Sequence, residues 1–246
     1  MKIFLGMPLH SVHGATPLAL HAFEQPSRLS VRAQVMADSS LVNCFTSLWC
    51  AALNYGAELF AMQHGDVEPQ PGWLDVLLAE GARQQADCIA AVVPLKDNRG
   101  VTSTAIDDPD NPWLPLRRLT MTEIWNGSLP ATFGSADLRT RNALLVNTGC
   151  MLVRMAALPD DFVFEQVARR VRLLNDGLWA SQFQPEDWIM SRTLHRLGRR
   201  VFATRAVPLT HRGDFGYAND RPWGEVIDRQ SEVNHADANL PHVVTA

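Results

Sequence analysis

The chain has 246 residues, of which 46% are hydrophobic and 20% charged, and its formal net charge is −4. That supports one large domain or two small ones with a sizeable core, and it speaks against broad non-specific binding to nucleic acid. No apolar run approaches the roughly 20 residues of a membrane span.

Residues 2–7 form a short buried-strand pattern, ended by Pro8. The chain enters it without a secretory h-region and cleavage site, so a cytoplasmic protein is expected. Cys44, Cys50, Cys88 and Cys150 are scattered without a C-x-x-C pair. They read as buried thiols rather than as a disulfide set or a zinc site. Residues 9–14 form a loop at a strand's carboxyl end. Thr16 predicts the N-cap of a helix over 16–23, with Pro17 at its first position. Residues 29–36 alternate apolar and polar types and predict a second strand. After a turn at 37–40, a helix is predicted over 41–54, with Leu41, Phe45, Leu48, Trp49 and Ala52 on one face and Gly56 as its C-cap.

Residues 59–63 are an apolar strand-type run that stops at His64-Gly65-Asp66. Positions i and i+2 of an extended segment point to the same side. His64 and Asp66 therefore face one ion together, at a strand's carboxyl end, where open α/β sheets bind ligands. A helix over 73–85 and a buried strand over 88–94 follow. The alternation of strand and helix over 1–94 predicts a mostly parallel sheet with helices on both faces.

Residues 95–142 are rich in Pro, Asp, Asn, Gly and Trp and read as one long functional loop. Residues 143–155 predict a strand interrupted at Asn147-Thr148-Gly149, where the glycine signals a bulge or a close approach. Residues 162–174 look helical. Gln184-Pro185-Glu186-Asp187 opens a helix over 188–197, with carboxylates at the end that favours negative charge. Strand-like pieces at 200–204 and 208–211 lead to His211. The polar residues 214–246 read as a tail or lid. No linker divides residues 1–213, which form one domain with halves 1–94 and 95–213.

Each polar fragment has an ordinary explanation alone. A histidine after a strand is more often hydrogen-bonded than ligating, and acids at a helix start commonly cap it. In combination and order, however, they resemble a family. Residues 3–8, His64-Gly65-Asp66-Val67 with Pro69 and Gly72-Trp73-Leu74, Asn147-Thr148-Gly149-Cys150, Pro185-Glu186-Asp187-Trp188 and His211 together look like a nucleotide-sugar-dependent glycosyltransferase of the GT-A fold. The likeness is to the family-2-like inverting enzymes of bacteria and phages. Two positions depart from that pattern: His64 stands where Asp is usual, and Ser40-Leu41-Val42-Asn43 lacks the Arg that often precedes the Asn.

The resemblance implies a single GT-A (Rossmann-like) α/β domain with a mostly parallel mixed sheet flanked by helices. It implies hexosyl transfer from a nucleoside-diphosphate sugar to an acceptor hydroxyl, with inversion. Asp187 is the expected base, and Glu186 is expected to orient the acceptor or that base. His64, Asp66 and His211 are the expected metal ligands. Imidazole favours Mn²⁺ over the oxygen-seeking Mg²⁺. Pro8, His10, Asp38, Asn43 and Gly65 are expected around the nucleotide sugar, and Thr148, Gly149 and Trp188 around the acceptor. Loop polarity and helix capping are the competing explanation for His10, Asp38 and Asn43. Lys96 and Arg99 have phosphate contact as an alternative to a solvated loop. The acceptor class stays open among a glycan, a lipid-linked sugar, a protein and modified nucleic acid, as does the oligomeric state. Three other readings remain: a nucleotidyltransferase, disfavoured by a first loop with one glycine at position 14; a non-catalytic nucleotide- or glycan-binding module; and a retaining transferase.

Overall fold

A computed structural model of the chain describes residues 1–172 and 178–224. In chain order its first half contains β1 (Ile3–Leu9), α1 (Pro17–Glu24), β2 (Arg32–Ala37), α2 (Leu41–Tyr55), β3 (Leu59–Gln63), β4 (Val67–Pro69), α3 (Trp73–Gln84) and β5 (Cys88–Ala91). It continues with β6 (Val101–Ile106), β7 (Arg117–Thr120), α4 (Met121–Asn126), β8 (Thr132–Phe133), β9 (Leu144–Leu145) and β10 (Cys150–Arg154). It ends with β11 (Val167–Arg172), β12 (Trp179–Gln184), α5 (Glu186–Arg196), β13 (Val201–Thr204), β14 (Leu209–Arg212) and β15 (Gly216–Ala218).

The central sheet has seven strands in the order β2-β1-β3-β10-β5-β13-β8. β2, β1 and β3 are parallel, as are β5 and β13, whereas β10 runs antiparallel between β3 and β5. The expected mixed, mostly parallel α/β sheet flanked by helices is therefore present. Its strands are buried on both faces because apolar residues occupy successive positions. Phe4, Phe60, Met62, Cys88, Ala90, Met151 and Val153 point to one side, where α2, α4 and α5 pack. Ile3, Leu5, Leu59, Ala61, Ile89, Ala91 and Leu152 point to the other, under α1 and α3. Helix α2 ends as expected on Gly56 in the left-handed region, with φ of 68°, a conformation that costs glycine little.

Three elements differ from expectation. The stretch 95–142 is not one loop. The β-branched run of β6 pairs antiparallel with β7 and with β9, and Thr120 opens α4 with a capping box through Glu123. The predicted helix over 162–174 is not helical: residues 162–166 have no regular structure, 167–172 form β11, which pairs antiparallel with β12, and positions 173 and 174 lie outside the described residues. Phe162 and Phe164 both contact Trp49, which requires residues two apart to face one way, as only extended chain allows. The strand over 143–155 breaks where the interruption was expected, but its two pieces, β9 and β10, join different sheets. Of the cysteines, Cys50 is exposed rather than buried, because it lies on the outer face of α2. The tail begins with β15, which pairs with β14; the remainder of 214–246 beyond residue 224 lies outside the described residues. Among the described residues, no helix is long and apolar enough to cross a membrane.

Candidate functional site

The carboxyl end of β3 is fixed by a buried amide. Gln63 donates from Nε2 to the carbonyls of Ala19 (2.8 Å) and Val67 (3.1 Å). The chain then turns through His64-Gly65-Asp66. The His64 amide donates to the Gly149 carbonyl at 2.9 Å, and the Thr16 amide to the Gly65 carbonyl at 2.8 Å. The loop after β1 lies directly on Gly65, where a β-carbon would run into Leu9 and Ala15. Glycine between the two polar residues is thus a packing requirement.

Strand β14 supplies the opposing side. Its register sets His211 against Val67 of β4, and the Arg212 amide donates to the Asp66 carbonyl at 2.7 Å. His211 Nδ1 is 2.7 Å from the carbonyl oxygen of Pro94. A carbonyl only accepts, so Nδ1 carries the proton. The ring's Nε2 faces the Asp66 carboxylate oxygen at 3.6 Å. The Lys96 ammonium is paired with that same oxygen. Burial opposes charge on Asp66, but hydrogen bonds from His211 and Lys96 outweigh it, holding the carboxyl well below the usual range.

His64 lies stacked on Phe45, with ring centroids 5.2 Å apart. Burial lowers its proton affinity more than Asp66 and Glu186 raise it, so the ring is neutral. Its Nε2 is 3.3 Å from the Thr148 hydroxyl, which donates to Glu186 Oε1 at 3.2 Å. Thr148 has one proton and gives it to the carboxylate, so its oxygen accepts from Nε2–H. That assignment leaves Nδ1 of His64 as the ring nitrogen with a lone pair. Gln166 donates to the other Glu186 oxygen at 2.8 Å. Next along α5, Asp187 Oδ1 accepts from the Trp188 amide at 2.8 Å. Burial first, and then the neighbouring Glu186 charge, push the Asp187 carboxyl up to about 8, against the pull of Arg118.

The structure therefore gathers His64, Asp66 and His211 with Thr148 and Glu186 at the ends of β3 and β14. Pro8 is buried within β1, and His10 is exposed in the loop that follows. Asp38 accepts from the Ser40 amide and from Asn43 Nδ2, both at 2.8 Å, a local network at the start of α2. The backbone bond from Ser40, then the one from Asn43, holds the Asp38 carboxyl below its ordinary value. Trp188 is 5% exposed and packs with Ala105 and Leu145, and the guanidiniums of Arg118 and Arg192 lie 5.1 and 5.8 Å from its ring centroid. The ion pair of Lys96, the Pro94 carbonyl and Gln166 have no sequence signal of their own.

Among the described residues, no three His, Cys, Asp or Glu side chains converge tightly enough to hold an ion alone. Asp66 and His211 nevertheless fit a divalent ion as a pair, because such ions beside phosphates take one or two protein ligands and complete their shell from substrate and water. The Pro94 carbonyl supplies the outer-shell hydrogen bond that orients a ligating histidine.

No protein-family model and no curated protein sequence matches the chain. Among solved structures it is similar to the crystal structure of A197 from STIV, with a TM-score of 0.52 and 13% identity over 92% of this chain and 95% of that one. That likeness is one of fold. More distant likenesses include CMP:2-keto-3-deoxy-manno-octonic acid synthetase complexed with CTP (TM-score 0.40, 11% identity, covering 97% and 98%). UTP-bound UGPase from Acinetobacter baumannii is at a similar distance (TM-score 0.40, 11% identity, covering 86% and 88%).

Proposed function

We propose that the chain is a metal-dependent glycosyltransferase of the GT-A type, moving a sugar from a nucleoside diphosphate to an acceptor hydroxyl with inversion. The observation that carries this reading is the meeting of His211 and Asp66. An oriented imidazole nitrogen and a carboxylate oxygen face each other at 3.6 Å, beside the carboxyl end of a parallel strand. Asp66 and His211 would hold a divalent ion, Mn²⁺ rather than Mg²⁺ on the strength of the imidazole. A bound ion there supplies charge neutralisation for a departing diphosphate.

The protein's own groups do the rest. Lys96 sits beside the same carboxylate, placed to meet phosphate oxygens. Asp187, with its proton affinity raised to about 8, takes the proton of the attacking acceptor hydroxyl while the bond from the anomeric carbon to the diphosphate breaks. A base of that strength is suited to proton transfer near neutral pH. Glu186, held by Thr148 and Gln166, keeps the start of α5 in place and raises Asp187. Calorimetry of the full chain with nucleotide sugars, with Mn²⁺ and with EDTA, tests the reading. Mn²⁺-dependent binding is expected, and no binding of any common nucleotide sugar in either condition would end it.

Lys96 at the cation site also favours a second reading, nucleotidyl transfer, in which a lysine and an ion share a triphosphate. The products separate the two: a released nucleoside diphosphate marks sugar transfer, and released pyrophosphate marks nucleotidyl transfer.

A further inference from the structure

The hairpin of β11 and β12 carries two unlike faces. Cross-strand partners Val171 and Ala180, and Arg169 and Gln182, form the inner one. Val171 and Gln182 are buried, and Arg169 donates to Gln182 at 2.8 Å. The outer face consists of Ala168, Arg170 and Arg172 opposite Phe183, Ser181 and Trp179, and all six residues are exposed. Trp179 is 59% exposed and Phe183 45%, with Leu178 next to them at 61%. The Arg170 guanidinium lies 4.3 Å from the centroid of the Trp179 ring. Neither strand contains an acidic residue, although the chain as a whole carries a net charge of −4.

Large apolar side chains left in water beside cations mark a surface that something covers. We propose that this outer face docks the protein on the surface of an anionic lipid bilayer. Trp179 and Phe183 enter the boundary between headgroups and acyl chains, where tryptophan is favoured because its ring is apolar and its N–H is polar. Arg170 and Arg172 meet lipid phosphates at the same level. Leu178 decides against a single nucleic-acid strand as the occupant. An aliphatic side chain gains little from base stacking, but it gains from leaving water among acyl chains. The hairpin is tied to the candidate site at both ends, through Gln166 to Glu186 at 2.8 Å and through Gln184 to Arg192 at 3.3 Å. Docking by this face therefore fixes the orientation of the start of α5 relative to the bilayer.

The test is co-sedimentation of the full chain with vesicles of phosphatidylcholine alone, and of phosphatidylcholine mixed with phosphatidylglycerol. Binding is expected to the mixed vesicles, weakened by salt. The pair Trp179→Ser and Phe183→Ser is expected to lower it roughly tenfold or more. The pair Arg170→Gln and Arg172→Gln is expected to remove the preference for anionic lipid. Thermal melts should match those of the wild type, because every substituted side chain is exposed. Should a pair fail to fold, Ser181→Asp places a negative charge on the same face and must weaken binding. Absence of vesicle binding overturns the proposal, as does binding unchanged in the folded variants. Hairpin-dependent capture of a single-stranded oligonucleotide without vesicle binding overturns it too.

Discussion

His211 meets Asp66 at 3.6 Å with its other ring nitrogen committed to the carbonyl of Pro94 at 2.7 Å. The commitment fixes which nitrogen faces the carboxylate, at the place proposed for a divalent ion. His211→Ala is therefore expected to lower Mn²⁺-supported binding of a nucleotide sugar by roughly 10–100-fold, and to leave any binding in EDTA unchanged. Asp66→Asn should behave alike. Calorimetry in the two conditions decides: equal losses in both would take His211 out of the cation site.

Lys96 competes for the same carboxylate oxygen. Removing it frees that oxygen for a metal ion but deprives the phosphates of a partner. Lys96→Ala is expected to tighten Mn²⁺ binding to the nucleotide-free protein by a few-fold and to weaken nucleotide binding by about tenfold, the cost of one hydrogen bond to a charged group. Mn²⁺ titration followed by electron paramagnetic resonance reads the first effect and calorimetry the second. A variant weaker in both would assign Lys96 to holding the site together.

The residues that create this competition show how far sequence reasoning reaches. His64 and Asp66 were legible as candidates because the strand end is written locally, in the run Leu59–Gln63 and its abrupt stop; the strand period does not reach them, since residues 64–66 form a turn closed by the Val67 amide on the His64 carbonyl. The Phe45, Leu48 and Trp49 face of α2 was legible because helical period, too, is written locally. His211 could be singled out as a candidate, but its orientation depends on a backbone carbonyl at Pro94, 117 residues away, and no side-chain identity encodes that. Residues 162–174 failed because Phe164, Val167, Ala168 and Val171 satisfy helical spacing as well as alternation does. What settled the choice was the partner strand β12 and the ring of Trp49, both remote in sequence. The run Val101–Ile106 was a readable strand signal, hidden by the turn-rich residues on either side.

Glu68 and Arg212 form a further ion pair near the site, at 2.7 Å, with side-chain exposures of 6% and 41%. Arg212 follows His211 directly, so this pair helps seat β14 on β4. Arg212→Ala leaves a buried carboxylate without its partner and is expected to cost about 2 kcal/mol. That lowers Tm by roughly 5 °C for a chain of this size. Because β14 then seats less firmly, Mn²⁺-supported binding should weaken as well. Glu68→Gln added to Arg212→Ala should recover part of the stability, since no unpaired charge remains. Thermal melts of the two single variants and the double variant test this; strict additivity would mean the pair contributes nothing jointly.

Asp187 offers a test in which stability and activity move in opposite directions. Its carboxyl has an ordinary value of 3.8 and is pushed up to about 8 in the fold, by burial first and then by Glu186. Between those values the unfolded chain has lost the proton that the folded chain keeps. The unfolded state binds fewer protons there, so wild-type stability falls as pH rises from about 4 to about 8. Asp187→Asn lacks that dependence. Its Tm is expected to gain on the wild type steadily across this window and to hold a constant lead above it. Turnover should fall about a thousandfold with the loss of the base, while nucleotide-sugar binding persists. In the wild type kcat/KM should rise as pH passes through about 8. Glu186→Gln removes the charge that raises Asp187 and should move that rise to lower pH. Melting curves of the two proteins that stay parallel at every pH would show that Asp187 is not raised. Undiminished turnover in Asp187→Asn would place the base elsewhere.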